Sequence, residues 1–274
     1  MHNHQKKIAV INDFCGFGRC SIAVSLPIIS AMKIQCCPLP TSIFSNHTGY
    51  DSFYYTDFTE HMGAYINEWK KLNLRFNGIL VGFLGSVRQI SIVKSFLEEF
   101  KKEDTTIVID PIMGDYGALY PTYSASLAQQ MRNLVPCADI LTPNLTEACI
   151  LTGTEYNKNA DEKELYEICV KLNNLGPEKI IISGIERGDS LENFIFEEGK
   201  KPALVTEHKV GPCRAGTGDV FSSIIAADMV NGKSLTDSVK HASSFIAKAL
   251  RLTNELKIPS EDGICFEEFL SEIY

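Results

Sequence analysis

The chain has 274 residues, 45% of them hydrophobic, with 26 basic and 34 acidic side chains and a formal charge of −8. That much apolar material excludes a mainly disordered chain, and the lack of a long uninterrupted apolar run excludes a membrane span. An acidic surface repels phosphate backbones, which argues against a nucleic-acid partner. One domain covering residues 1–274 suits this length. Nine cysteines, odd in number, scattered and without a Cys-x-x-Cys pair, argue against a disulfide scaffold or structural zinc and suit a reducing cytosol. The start, Met1-His2-Asn3-His4, lacks a signal-peptide layout. The expected location is therefore cytoplasmic, which leaves the sequons at Asn46 and Asn144 idle.

Residues 8–11, Ile-Ala-Val-Ile, predict a buried strand, with Gly16 and Gly18 after it and a helix over 21–32. Further short apolar runs at 78–82, 106–109, 140–141 and 179–183 alternate with amphipathic stretches such as 58–72 and 90–101. Wholly apolar strands alternating with helices predict an α/β fold, three-layer α/β/α and doubly wound, with a mostly parallel central sheet covered on both faces. Residues 193–196 and 203–208 look like antiparallel additions at a sheet edge, followed by helices over 220–229 and 234–252. Residues 38–51 and 113–122 lack regular periodicity and carry turn residues, which predicts two long loops of functional use.

The strongest local signal is Arg214-Ala215-Gly216-Thr217-Gly218-Asp219 ahead of an apolar helix pattern. A glycine turn at a helix N-terminus can aim free backbone N–H groups at a phosphate, with the positive end of the helix dipole behind them. Asp219 in that first turn is a candidate base; ordinary helix capping is the alternative. Asp110-Pro111-Ile112-Met113-Gly114-Asp115 follows an apolar strand and sets two carboxylates at its carboxyl end, where oxygen ligands suit Mg²⁺. Thr142-Pro143-Asn144-Leu145-Thr146-Glu147 does the same, with Asn144 and Glu147 one helical turn apart; each motif alone also fits a solvated turn or cap. Their joint occurrence favours a site. Cys213, beside the glycine turn, suits a small apolar filler more than a redox centre, and His47 suits a structural hydrogen-bonding role.

Two look-alikes fail on context. Gly16-Phe17-Gly18-Arg19-Cys20-Ser21 approximates a dinucleotide fingerprint, but Ser21 replaces the third glycine, and the next strand, expected near 34–37, ends in Pro38-Leu39-Pro40 with no acidic residue to hold a ribose. Gly232-Lys233-Ser234 ends like a P-loop but follows a helical pattern, which predicts a helix–helix connection.

With these motifs in view, the sequence resembles the ribokinase-like superfamily over nearly its whole length, and within it the pyridoxal (vitamin B6) kinases. Gly216-Thr217-Gly218-Asp219 resembles the family's anion hole and catalytic base, and the 110–115 and 142–147 segments resemble its metal and phosphate motifs. Phe44-Ser45-Asn46-His47-Thr48-Gly49-Tyr50 resembles its substrate-side motif. The resemblance implies ATP-dependent phosphorylation of the 5′-hydroxymethyl group of a B6 vitamer, with Mg²⁺, a monovalent cation such as K⁺, and a homodimer. By it, Asp219 with Gly216, Thr217 and Gly218 is catalytic, while Asp13, Phe44, Asn46, Thr48 and Phe83 bind the substrate. Asn144, Ser183, Thr217 and Gly218 contact the nucleotide, and Asp110, Asp115 and Glu147 organise the metal. The 113–122 loop would be a lid that excludes water. Asp13 departs from the serine that many pyridoxal kinases carry there and is reminiscent of hydroxymethylpyrimidine kinases; those, however, commonly carry cysteine in place of Asp219. A kinase for that pyrimidine, or a vitamer-binding module without catalysis, is the alternative.

Overall fold

The computed structural model describes residues 4–120 and 123–274. In chain order the elements are β1 (Lys7–Phe17), α1 (Ile22–Ala31), β2 (Gln35–Asn46), β3 (Tyr55–Asp57), α2 (Thr59–Lys71), β4 (Gly78–Val81) and α3 (Val87–Phe100). Next come β5 (Thr106–Ile109), the short pair β6 (Gly114–Asp115) and β7 (Ala118–Leu119), α4 (Ala125–Met131), β8 (Ile140–Leu141), α5 (Leu145–Thr152) and α6 (Glu162–Asn173). The chain finishes with β9 (Lys179–Arg187), β10 (Ser190–Glu197), β11 (Ala203–His208), α7 (Thr217–Val230) and α8 (Leu235–Glu255). Among the described residues, no helix is long and apolar enough to cross a membrane.

Nine strands form one sheet in the order β11-β10-β9-β8-β5-β4-β1-β2-β3. Pairing is parallel from β9 to β2, and antiparallel only at the edges, where β10 and β11 close one side and β3 the other. The apolar runs explain the layering, because successive strand side chains point to opposite faces. Ala9 and Ile11 enter the cluster beneath α2 to α6, whereas Ile8 and Val10 enter the cluster beneath α1, α7 and α8. All four are 0% exposed, and each large one stabilises the fold by about 1.5–3 kcal/mol through burial. The three-layer α/β/α fold read from the alternation is therefore correct, as are the antiparallel edge additions.

Two expected loops are corrected. Residues 38–46 belong to β2 rather than to an irregular loop. Pro38 and Pro40 pair in register with Val10 and Asn12 of β1, and they precede the stretch Ser42–Phe44 that β3 joins, so β2 is still an edge strand where its prolines occur. The 113–122 segment is largely a hairpin: β6 and β7 pair antiparallel across Tyr116 and Gly117, whose φ values of 49° and 83° fit the primed turn that matches strand twist. Pro121 and Thr122, within the expected lid, and Met1 to Asn3 lie outside the described residues. Gly232-Lys233-Ser234 connects α7 to α8, with the Ser234 hydroxyl capping α8, as the helical context predicted.

After β1 the chain moves outward to β2 and β3, then returns to the other side of β1 as β4. The carboxyl ends of β1 and β4 thus flank the point where strand order reverses, which is where open α/β sheets bind ligands. Four of the expected site residues or their neighbours sit there: Asn12, Asp13, Gly82 and Phe83.

Candidate active site

Beside the carboxyl end of β1, strand β2 carries a β-bulge. Asn12 pairs with Pro40 and Phe14 with Ile43, so Asp13 alone faces Thr41 and Ser42. Bulges re-aim side chains next to active sites, and here the irregularity lies opposite Asp13, an expected substrate-side residue. Asp13 is 7% exposed; burial raises its pKa, against hydrogen bonds from the Ser21 hydroxyl and the Cys15 thiol that lower it. The Cys15 thiol donates to Asp13 Oδ2 at 3.5 Å.

Asp219 opens α7 opposite that strand end. Its Oδ1 accepts from Asn12 Nδ2 at 3.1 Å, and the carboxylate also receives the Ser21 backbone N–H. Ser21 presents that amide from a φ of 58°, rare for a non-glycine residue and worth about 1–3 kcal/mol of strain held at a site. Burial pushes the Asp219 pKa up to about 6; the Ser21 amide opposes the rise, the Asp13 charge adds to it, and the Asn12 amide opposes it. The carboxylate is therefore ionised near neutrality yet more basic than an exposed aspartate, which suits a general base.

The turn before α7 is the candidate anion site. Gly216 caps the helix at φ 84° and ψ −8°, and a Cβ there would lie 2.0 Å from the Arg19 carbonyl oxygen, so only glycine fits. Thr217 turns its hydroxyl back onto the Arg214 carbonyl at 3.1 Å, and the Val220 N–H bonds the Gly216 carbonyl. The Gly218 and Asp219 amides are among those a helix start leaves without an intrahelical partner. Gly218 is exposed, with nothing within 4 Å of where a Cβ would stand.

On the other flank, Asp110, 8% exposed at the end of β5, has a pKa raised well above the ordinary carboxylate value by burial and then by the charges of Glu147 and Asp219, against a Ser222 hydrogen bond. Glu147, 3% exposed, is raised to about 7 by burial, although backbone N–H groups from Met113, Asn144 and Gly114 oppose the rise. Its two oxygens accept from Met113 N and Asn144 N at 2.9 Å each, and Asn144 Oδ1 accepts from Glu147 N at 3.0 Å, a complete capping box. Asn144 Nδ2 donates to the Gly114 carbonyl at 2.8 Å, which ties the 114–119 hairpin to α5. Ser183 on β9 forms a parallel bridge with Asn144 and donates its N–H to Pro143 at 2.9 Å. Asp115 is half-buried, with Oδ1 accepting the Tyr116 N–H at 2.8 Å.

Glu147→Ala leaves buried N–H groups without acceptors and removes a cap. Thermal denaturation should show a loss of about 2–4 kcal/mol, with Glu147→Gln, which keeps one carbonyl acceptor, losing less.

The charges of Glu147 and Asp219 thus both bear on Asp110 at the carboxyl edge of the sheet. Among the described residues no group of three or more His, Cys, Asp or Glu side chains is placed to hold a metal ion by itself. Hard oxygen donors, with Glu147 committed to backbone amides and Asp110 the freer one, fit Mg²⁺ that keeps several waters and shares phosphate oxygens.

The aromatic side is built from Phe44, 8% exposed on β2, and half-buried Phe83, with ring centroids 6.5 Å apart. Cys15 and Cys20 pack with Phe44 in the same small cluster. Asn46 is tied into its own loop, donating to the Ser52 carbonyl at 2.8 Å. Thr48 is exposed in the turn after β2. His47 is structural, as expected: Nδ1 accepts from Gly49 N at 3.0 Å, so Nε2 carries the proton and donates to the Glu261 carbonyl at 2.6 Å. Cys213 is exposed, which corrects the expectation of a buried filler; the turn residues Gly211 and Pro212 before it are exposed as well.

Sequence reasoning missed Asn12, Ser21 and a C-terminal brace. The brace runs from Ile258 to Ile264: Arg214 donates to the Ile258 and Pro259 carbonyls at 2.7 and 3.0 Å, and Ile264 N to the Ala215 carbonyl at 3.1 Å. Tyr50 donates to Asp262 Oδ1 at 2.9 Å, so one segment holds both the anion turn and the substrate-side turn.

The fold and these motifs, set at the carboxyl edge of the sheet, place the chain in the ribokinase-like class. The family model described as phosphomethylpyrimidine kinase matches residues 29–264, and the chain belongs to that family. A pyridoxal kinase of Arabidopsis thaliana is 32% identical over 69% of this chain, and the chain spans 62% of that relative's length. A Bacteroides thetaiotaomicron protein assigned by name to the phosphomethylpyrimidine kinases, crystallised with pyridoxal, superposes with a TM-score of 0.95 at 37% identity over 98% of this chain and 96% of its own. The pyridoxal kinase of Lactobacillus plantarum superposes with a TM-score of 0.91 at 26% identity, over 98% of this chain and 96% of its own.

Proposed function

We propose that this chain transfers the γ-phosphoryl group of ATP to the 5′-hydroxymethyl group of pyridoxal, pyridoxamine or pyridoxine. The observation that carries the reading is the half-buried Asp219 carboxylate, held by Asn12 and Ser21 beside the open amide of Gly218, with Phe44 and Phe83 on the aromatic side of the site. Support comes from the pyridoxal kinases among its relatives and from the pyridoxal bound by the Bacteroides protein.

In this reading the substrate ring packs on Phe44 and Phe83, and its polar edge meets Asp13 and Thr48, with Asn46 shaping that loop. Asp219 takes the hydroxymethyl proton as the oxygen attacks. The amides at Gly216, Thr217 and Gly218, backed by the α7 dipole, stabilise charge on the migrating group; such a loose transition state leaves the protein positioning and electrostatics to supply. Asn144 and Ser183 line the nucleotide side. Asp110 and Glu147, with Asp115 on the hairpin, would hold Mg²⁺, which when bound neutralises the phosphate oxygens. The 114–119 hairpin acts as the lid that keeps water from the reacting phosphate. K⁺, a cytoplasmic location and a single domain over 1–274 belong to the same reading. So does a homodimer, supported by exposed Phe53, Tyr54 and Tyr55 beside Phe14, Phe17 and Ile43.

The rival acceptor is hydroxymethylpyrimidine, favoured by Asp13 and by the name of the family. Side-by-side turnover of the three vitamers and the pyrimidine with ATP tests the reading. A vitamer should give the highest kcat/KM; pyrimidine as the best acceptor would overturn the assignment, and binding without conversion in a single turnover would indicate a non-catalytic module.

A further inference from the structure

Asn12 ends the apolar run of β1 with a polar side chain that is 3% exposed, and it touches both halves of the site. Its Oδ1 accepts two backbone N–H groups, Asp13 at 3.0 Å and Phe83 at 2.8 Å. Those donors fix the amide's orientation, since a flipped carboxamide would set its NH₂ against both of them. Nδ2 is thereby obliged to face Asp219 Oδ1 at 3.1 Å. The neighbouring strand end keeps it there: a Cβ on Gly82 would lie 2.6, 2.7 and 2.8 Å from Nδ2, Cγ and Oδ1 of Asn12, so the bare glycine backbone is packed against the amide.

We infer that Asn12 is the positioning residue for the base, a neutral clamp that sets the Asp219 carboxylate in line with the substrate hydroxyl while sharing its oxygen with the backbone of the aromatic wall. The neutrality matters. A lysine or arginine in this place would form an ion pair with Asp219 and hold its basicity down, whereas an amide orients the carboxylate by one hydrogen bond and leaves it able to take a proton. The shared oxygen matters too, because Phe83 N and Asp13 N converge on it. Seating of the ring and aim of the base are therefore set by one rigid group rather than by two independent loops.

This inference rests on the reading of Asp219 as the base, and the test separates the two. Turnover of pyridoxal with ATP is measured for Asn12→Ala, Asp219→Ala, the double variant and Gly82→Ala, with thermal melting of each. Asn12→Ala should lower kcat by about 10–100-fold and leave the KM for ATP within about twofold. In the Asp219→Ala background the same change should cost less than about twofold, since a residue acting through another loses its effect when that other is absent. Gly82→Ala, which pushes on the amide without removing any of its atoms, should reproduce the loss in kcat at an unchanged KM for ATP, and it serves if Asn12→Ala does not fold. Multiplicative losses in the double variant, or a normal kcat in folded Gly82→Ala, would overturn the clamp. Near-normal turnover of Asp219→Ala alone would overturn the base reading, and this inference with it.

Discussion

Replacing Asp219 with asparagine or alanine lowers kcat by about 10²–10⁴-fold and leaves ATP binding nearly unchanged. The size follows from the task. A primary alcohol is a poor nucleophile until its proton has somewhere to go, and Asp219 is the carboxylate that Asn12 and the Ser21 amide hold in place beside the anion turn. ATP binding is spared because the anion turn is built from backbone. The same carboxylate predicts the acid limb of the pH profile. Burial raises its pKa to about 6, so kcat falls as pH drops through that value and the base becomes protonated. For stability the sign is opposite: a carboxyl group raised in the fold favours the folded state below its unfolded pKa, and that contribution is lost as pH rises through about 6. Asp219→Asn should abolish the limb together with the activity, and a rate that keeps both would remove Asp219 from the chemistry.

Much of this was legible in the sequence, and what was not has physical causes. The parallel strands announce themselves because both of their faces are buried, which leaves continuous apolar runs such as Ile8 to Ile11 and Thr106–Ile109. The start of β2 was readable near residues 34–37, but its continuation to Asn46 was hidden by Pro38 and Pro40, residues a central strand rejects but an edge tolerates. The 114–119 hairpin was hidden by its size: two residues per strand give no periodicity, and the paired positive φ values at Tyr116 and Gly117 are the whole of its signature. In the site, motifs that follow a strand and open a helix were readable because their chemistry is local. Asn12 was not, although a polar residue closing a run of buried aliphatics is a signal, because its partners at positions 82, 83 and 219 are joined only by sheet order and by α7. The brace at 258–264 was still less readable, since it works through backbone carbonyls and amides that carry no side-chain signature.

Gly216→Ala and Gly218→Ala should both lower turnover, for different reasons that a melting curve separates. At Gly216 the backbone sits at φ 84° and an added Cβ would meet the Arg19 carbonyl at 2.0 Å. A left-handed non-glycine residue costs about 1–3 kcal/mol before any clash, and relieving the clash must move Arg19, whose amide and guanidinium both bond the Asp262 carbonyl. The brace therefore loosens along with the turn, so Gly216→Ala should melt earlier, lose about 10²–10³-fold in kcat and bind ATP more weakly. At Gly218 nothing stands within 4 Å of the added methyl, and the residue lies in the first turn of α7, where alanine is the better helix former. Gly218→Ala should therefore fold at least as well as the unaltered protein. Its methyl then occupies the open space where a phosphate would reach the amides, so activity falls with no loss of stability. A Gly218→Ala protein with full turnover would mean that the space beside this amide is not where the phosphoryl group passes.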